Sequence, residues 1–252
     1  MSAPVLEVEG LKRAFGGVRA VDGVSFSVVG GERVALIGPN GAGKTTCFNL
    51  IDGQLRPDDG RVALGGVDVT GRPTRELAQR GVGRTFQVAA SFASMTVRQN
   101  VALALAAHEG VAGSLFGSGL PRFDAPADAL LDRVGAGDLA ASHAATLAYG
   151  DVKRVELALA LAGDPRLLLM DEPTAGMAPR ERGAMMAIVS ALVRERSIAL
   201  LFTEHDMDVV FAHADRIVVL DRGRILAQGE PAAIRADRRV QEAYLGTDEP
   251  SA

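Results

Sequence analysis

The eight residues Gly38-Pro-Asn-Gly41-Ala-Gly43-Lys44-Thr45 constrain this chain more than any other stretch. They match G-x-x-x-x-G-K-[S/T]. They stand between Arg33–Ile37, which reads as a buried strand, and Lys44–Ile51, which reads as a helix ended at Gly53. The glycines let successive backbone N–H groups curl round an anionic phosphate, and the helix N-terminus adds positive potential. Pro39, Asn40, Ala42 and Thr46 complete the cradle, Lys44 is a point charge for β- and γ-phosphates, and Thr45 offers a hydroxyl to Mg²⁺. A chance glycine turn would need neither the strand before it nor the helix after it.

The rest of the chain agrees with an α/β architecture, since short apolar runs alternate with amphipathic stretches. Val5–Val8 and Val24–Val29 read as strands, with Asp22-Gly23 and Gly30-Gly31 as turns, and Arg61–Leu64 and Val67–Val69 flank a hairpin turn at Gly65-Gly66. From 89 to 162 strand signals vanish and Ala/Leu helical patterns take over, in Val97–Ala107, Pro126–Val134 and Asp151–Leu161, around a loose stretch at Gly110–Leu120. After it come strand, helix, strand and strand at Leu167–Met170, Pro179–Arg196, Ile198–Thr203 and Ile217–Leu220.

At 252 residues with 48% hydrophobic and 23% charged side chains, the chain can bury a substantial core. The net charge of −4 gives no basic footprint for nucleic acid. No run reaches 18 apolar residues, so any membrane role goes through a partner. The first ten residues carry acidic groups and no apolar run, unlike a secretory signal. The single cysteine, Cys47, excludes an internal disulfide and fits a reducing compartment. It stands one turn into the helix after the glycines, an interior position.

A second acidic element supports the first. Leu167-Leu-Leu-Met-Asp171-Glu172 is a buried strand ending in two carboxylates. Beside a phosphate cradle, Asp171 can hold Mg²⁺ through water and Glu172 can orient an attacking water.

With these residues in place, the chain resembles the ATP-binding cassette (ABC) ATPases, and among them the ATPase subunits of branched-chain amino acid importers. The resemblance covers nearly the whole chain. Gly83-Arg-Thr-Phe-Gln87 resembles the Q-loop segment, and Met95-Thr-Val97 with Asn100-Val101 resembles the M-T-V-x-x-N-V stretch. Leu147-Ala-Tyr-Gly150 stands at the signature, Thr203-Glu-His205-Asp-Met207 at the switch histidine, and Ala243-Tyr-Leu-Gly246 at the C-terminal ending. The resemblance implies a P-loop NTPase core, an N-terminal antiparallel β subdomain within 1–88 and an inserted helical subdomain at 89–162, with the core resuming over 163–252.

It also implies roles. Phe15 would stack on adenine, Gln87 would reach Mg²⁺ and the water while linking to the membrane partner, Glu172 would be the general base and His205 would contact the γ-phosphate. Cassettes of this kind act as head-to-tail dimers, so Ala148, Tyr149, Gly150 and Asp151 would complete the partner's site. The implied partners are a second cassette, a membrane permease and, indirectly, a substrate-binding protein, at the cytoplasmic face of the membrane.

The sequence departs from the family pattern where it would face a partner. Ala148 and Asp151 stand where L-S-G-G-Q has Ser and Gln, and Ala178 stands where the D-loop has Asp or Asn. Leu159 replaces the Arg of A-R-A-L. Ala148 cannot donate a hydrogen bond to the γ-phosphate. Asp151 suits a helix N-terminus, where it would repel a phosphate or accept from a ribose hydroxyl. These changes motivate pairing with a different cassette, and also a rival reading as a non-hydrolysing regulatory cassette. Another rival is a soluble ABC ATPase acting on DNA or ribosomes. Asp171 stands 127 positions after Lys44, which leaves no room for chromosome-type coiled-coil arms.

Overall fold

The computed structural model describes residues 3–85, 92–111 and 120–245. Along the chain run β1 (Pro4–Phe15), β2 (Val18–Val29), β3 (Arg33–Ile37), α1 (Lys44–Ile51), β4 (Asp59–Leu64), β5 (Val67–Asp68), α2 (Thr74–Gln79) and β6 (Val82–Thr85). Helices α3 (Val97–His108), α4 (Asp124–Arg133) and α5 (Tyr149–Leu161) follow. Then come β7 (Leu167–Asp171), α6 (Pro179–Arg196), β8 (Ala199–Thr203), α7 (Met207–His213), β9 (Arg216–Asp221), β10 (Arg224–Gly229), α8 (Pro231–Ala236) and α9 (Arg238–Leu245).

Two sheets result. An antiparallel sheet has the order β2-β1-β4-β5, and a larger one has the order β10-β9-β3-β8-β7-β6. In the larger sheet every pairing from β9 to β6 is parallel, and β10 adds an antiparallel edge. Its central strands are buried on both faces, which explains their unbroken apolar runs. Val34 and Leu36 of β3 join one core cluster, with α1 and the antiparallel sheet, while Ala35 and Ile37 join another, with α3 to α7. The period-2 alternation of the strand thus serves two cores at once.

The strands at the start are longer than the sequence suggests. Asp22-Gly23 is not a turn but lies inside β2, where Leu11 pairs with Val24 and Lys12 with Asp22. Gly23, at φ 79, supplies the extra residue of a bulge. The hairpin turn falls instead at Gly16-Gly17, both at positive φ.

The sheet order positions the site. β8 lies between β3 and β7, so the segments following these three neighbouring strands emerge at one edge. The carboxyl ends of parallel strands are where α/β proteins bind ligands.

Candidate active site

The turn after β3 is shaped by glycines with two different duties. Gly43, the N-cap of α1, has φ 103, and a Cβ there would stand 2.2 Å from the Ala20 carbonyl oxygen. Gly38 is equally confined, since a Cβ would stand 2.2 Å from the Leu220 oxygen. Gly41, at φ 78, would meet nothing within 4 Å. Two glycines therefore seat the loop against β2 and β9, and the third leaves its open face clear.

The first turn of a helix leaves its N–H groups without intrahelical acceptors, and here they belong to Lys44, Thr45 and Thr46. Lys44 is nearly buried and its Nζ donates to Gly38 O at 2.6 Å and Pro39 O at 3.1 Å. Burial holds its ammonium below the ordinary lysine value, against the opposing pull of Glu172 and Asp171. An ammonium folded over its own loop, next to free helical N–H groups, is a cradle whose chemistry fits a polyphosphate. Cys47 is fully buried in α1, and burial pushes its thiol up to about 12.

Across the edge, Thr203 at the end of β8 fastens the two carboxylate residues. Its Oγ1 donates to Asp171 Oδ1 at 2.6 Å and accepts from Glu172 N at 3.0 Å. Glu172 occupies the left-handed region at φ 50, and its Oε1 lies 2.9 Å from His205 Nε2. Buried Glu204 accepts from both the N–H and the hydroxyl of Thr174, at 2.8 and 2.6 Å, tying the loop after Glu172 to the turn that carries His205. Arg182 adds a second tie, donating from Nε to Met177 O at 2.8 Å and from Nη1 to Asp206.

Beneath the carboxylates lies Arg84 of β6. It pairs with buried Asp52 at the end of α1, donates to Asn49 Oδ1 at 3.0 Å and comes within 3.8 Å of Asp171. Three elements are thereby joined under the site by one buried guanidinium. Among the described residues no three His, Cys, Asp or Glu side chains gather as a metal site. A magnesium ion would therefore draw on phosphate oxygens as well as on Thr45 and Asp171, a hard all-oxygen set that suits it.

The structure brings Lys44, Thr45, Asp171, Glu172 and His205 to this edge; Gln87 and Phe86 lie outside the described residues. Phe15 ends β1 with its ring 44% exposed and the Arg13 guanidinium 4.9 Å from its centroid. Ala148 is the N-cap of α5 and makes no side-chain cap. Tyr149 packs on Gly176, and Gly150 faces Met177 and Glu181, so the neighbours of this segment are in the loop after Glu172 and the first turn of α6. Asp151 pairs with Arg154 at 3.0 Å, one helical turn on.

The Met95–Val101 stretch proves architectural. Thr96 and Gln99 form a reciprocal capping box at the start of α3, and buried Asn100 accepts from Phe92 N while donating to Phe92 O and Thr96 O. Reading the sequence alone singles out neither Thr203, Thr174 nor Arg182 for a site role. A threonine ending a strand and an arginine in a first helical turn are too ordinary to signal it.

Comparison with known proteins shows the family. The family profile described as "ABC transporter" matches residues 21–175, and one described as "Branched-chain amino acid ATP-binding cassette transporter" matches residues 224–250. The high-affinity branched-chain amino acid transport ATP-binding protein BraF of Pseudomonas aeruginosa is 40% identical, covering 98% of this chain and 99% of its own. LivG of Escherichia coli K12, described in the same words, is 41% identical over the same shares. Among solved structures, a nucleotide-free ATP-binding cassette from an ABC transporter superposes with a TM-score of 0.85 at 32% identity, covering 96% of this chain and 98% of that one. An ABC cassette in its ADP conformation matches with the same score and identity, covering 96% and 99%.

Proposed function

Because this chain belongs to the ABC transporter family of ATP-binding proteins, we propose that it hydrolyses ATP to drive an importer for branched-chain amino acids or a related small polar solute, through a separate membrane permease. As an ABC cassette it binds ATP and ADP. The observation that carries the hydrolytic reading is the Glu172–His205 contact of 2.9 Å, held on the strand edge that also presents Lys44. The cargo rests on the end-to-end likeness to BraF and LivG and on the separate match over residues 224–250.

The residues divide the work as follows. The N–H groups of 43–46 grip the β-phosphate, and Lys44 leaves the Gly38 and Pro39 carbonyls for the β- and γ-oxygens. Phe15 offers its exposed ring to the base. Glu172 takes a proton from the attacking water, and His205, sharing a hydrogen bond with it, faces the γ-phosphate. Thr45 and Asp171, with Gln87, would hold magnesium, which would supply neutralisation of the charge on the transferring phosphoryl group. Thr203 keeps Asp171 and Glu172 in register while this happens.

Such cassettes act in pairs and on permeases. Ala148–Asp151 would face the nucleotide of a second cassette. Neither Ala148 nor Ala178 supplies a side-chain cap to the helix it begins, so at these two positions the contribution to a partner's nucleotide is backbone and helix dipole. This favours a partner cassette with a more polar signature. Helices α3 to α5 supply the helical part, and the apolar groove of about 440 Å³ lined by Arg84, Thr85, Phe92, Asn100, Leu103 and Leu159 would receive the permease. No helix among the described residues is long and apolar enough to cross a membrane. Attachment at the cytoplasmic face would come through that permease, with a substrate-binding protein acting on the other side.

Co-expression with the permease subunits and reconstitution in liposomes tests the reading. Hydrolysis should rise when a binding protein loaded with leucine, isoleucine or valine is enclosed. A response only to urea or amide-loaded proteins would move the cargo, and ATPase activity indifferent to any permease would overturn the transport reading.

A further inference from the structure

The β1–β2 hairpin reaches the nucleotide cradle. Gly43 is seated against Ala20 O, and Asp22 N donates to Gly223 O at 2.8 Å, so the hairpin is anchored beside the N-terminus of α1. Near its turn Phe15 pairs with Val18 and Ala14 with Arg19, and the register shifts between Arg13 and Ala14. The ring assigned to the base therefore stands at the end of an irregular ladder, where pairing alone holds it weakly.

The firmer hold comes from Asp58, in the segment before β4. One carboxylate oxygen accepts from Arg13 Nη1 at 2.7 Å and the other from Ala14 N at 2.8 Å, while Asp58 N donates to Lys12 O at 2.9 Å. Lys12 Nζ in turn donates to Asp59 Oδ2 at 2.7 Å. Two consecutive aspartates thus fix the three residues that precede Phe15. Held in this way, the Arg13 guanidinium carbon lies over the Phe15 ring, 4.9 Å from its centroid. Arg13 Nε is buried and has no hydrogen-bond partner among the described residues, so the guanidinium keeps its place over the ring at the expense of a hydrogen bond.

We propose that Arg13 is a positioning residue for the nucleotide base: it occupies one face of Phe15, and the base stacks on the other. The inference rests on the reading of Phe15 as the base platform. Two aromatic faces are both negative and repel when stacked squarely. A cation on the far face of Phe15 draws electron density toward itself and eases that repulsion on the open face. The charge of Arg13 is compensated by Asp58, so it acts through the ring and adds little to the pull on the phosphates.

Arg13→Met keeps an unbranched side chain and removes the cation. In the full-length protein, calorimetry with magnesium ADP and with magnesium pyrophosphate separates the base from the phosphates. Arg13→Met should weaken ADP binding about 2–5-fold, the worth of an exposed cation–π contact, with pyrophosphate affinity unchanged. Asp58→Asn leaves an acceptor for Ala14 N but dissolves the ion pair, and should shift ADP affinity the same way by less. Arg13→Lys should recover part of the loss, because an ammonium can also lie over the ring. Equal weakening of ADP and pyrophosphate in Arg13→Met overturns the proposal, since Arg13 would then act on the phosphates or on the fold. So does unchanged ADP affinity in Arg13→Met when Phe15→Ala weakens ADP relative to pyrophosphate, a result that leaves the platform reading standing. If Phe15→Ala leaves the ratio of the two affinities unchanged, the base does not stack on Phe15, and the platform reading fails together with the proposal.

Discussion

Nε2 of His205 stands 2.9 Å from Oε1 of Glu172, although 33 residues separate them along the chain. The pair joins the turn after β8 to the turn after β7 and places an imidazole against the group assigned as base. Glu172→Gln can keep this hydrogen bond but cannot take a proton. ATP hydrolysis should fall by at least about 100-fold, the lower range for general base catalysis, while ATP binding persists and a closed dimer accumulates. Gel filtration with ATP and a phosphate-release assay check both halves. Mixing the variant with a native partner cassette tests the asymmetric pairing, because an unchanged rate would show that this site does not carry most of the turnover.

Thr203 serves Asp171 and Glu172 with one hydroxyl. Thr203→Val keeps the shape of the side chain and removes the partner of Asp171 Oδ1 and of the Glu172 N–H. Stability in urea should drop by about 1–3 kcal/mol. The kcat should drop further than nucleotide affinity, because Thr203 orients the acidic residues and does not touch the cradle. Equal losses in kcat and affinity would place it in general packing.

Arg84 is the cation between two buried carboxylates, Asp52 and Asp171, whose side chains are 1% and 6% exposed. Arg84→Met leaves both unpaired and should cost about 3–5 kcal/mol in urea unfolding. Adding Asp52→Asn should recover part of that loss, since one stranded charge is then gone. No recovery in the double variant would mean that Arg84 contributes packing and not charge.

His213, at the end of α7, is held below the ordinary value of 6.5, first by burial and then by the Arg33 guanidinium. The unfolded chain therefore binds more protons than the folded one in mildly acidic solution. The stability gained by keeping His213 neutral is complete above 6.5 and is lost as pH falls through its lower folded value. Thermal midpoints of His213→Gln should decline less steeply between pH 7 and pH 5 than those of the parent. Parallel curves would remove His213 from the account.

The fold was legible where the side-chain period was clean. α1 spans Lys44–Ile51 as its pattern implies, and β3 and α6 likewise keep the bounds their apolar spacing sets. The early strands were less legible, because a glycine beside an aspartate signals a turn and a bulge equally well, and only pairing with β1 decides. The short elements α7, α9 and β10 are fixed by what they pack on. Asp171, Glu172 and His205 could be read from their place after apolar strands. The side chains that hold them could not, since Thr203, Thr174 and Arg182 acquire meaning only when distant strands and helices come together. Asp151 carried a readable signal, an arginine three positions later, and that ion pair is what the structure contains.

The least comfortable backbone among the working residues belongs to Glu172, at φ 50 without being a glycine. Holding a side-chain-bearing residue there costs on the order of 1–3 kcal/mol, which the surrounding hydrogen bonds must offset. A glycine at 172 would relax that tension and leave the chain more robust, with no group to ready the water. The protein thus forgoes some durability at this one corner, and selection for thermal endurance alone would be expected to erode its chemistry there first.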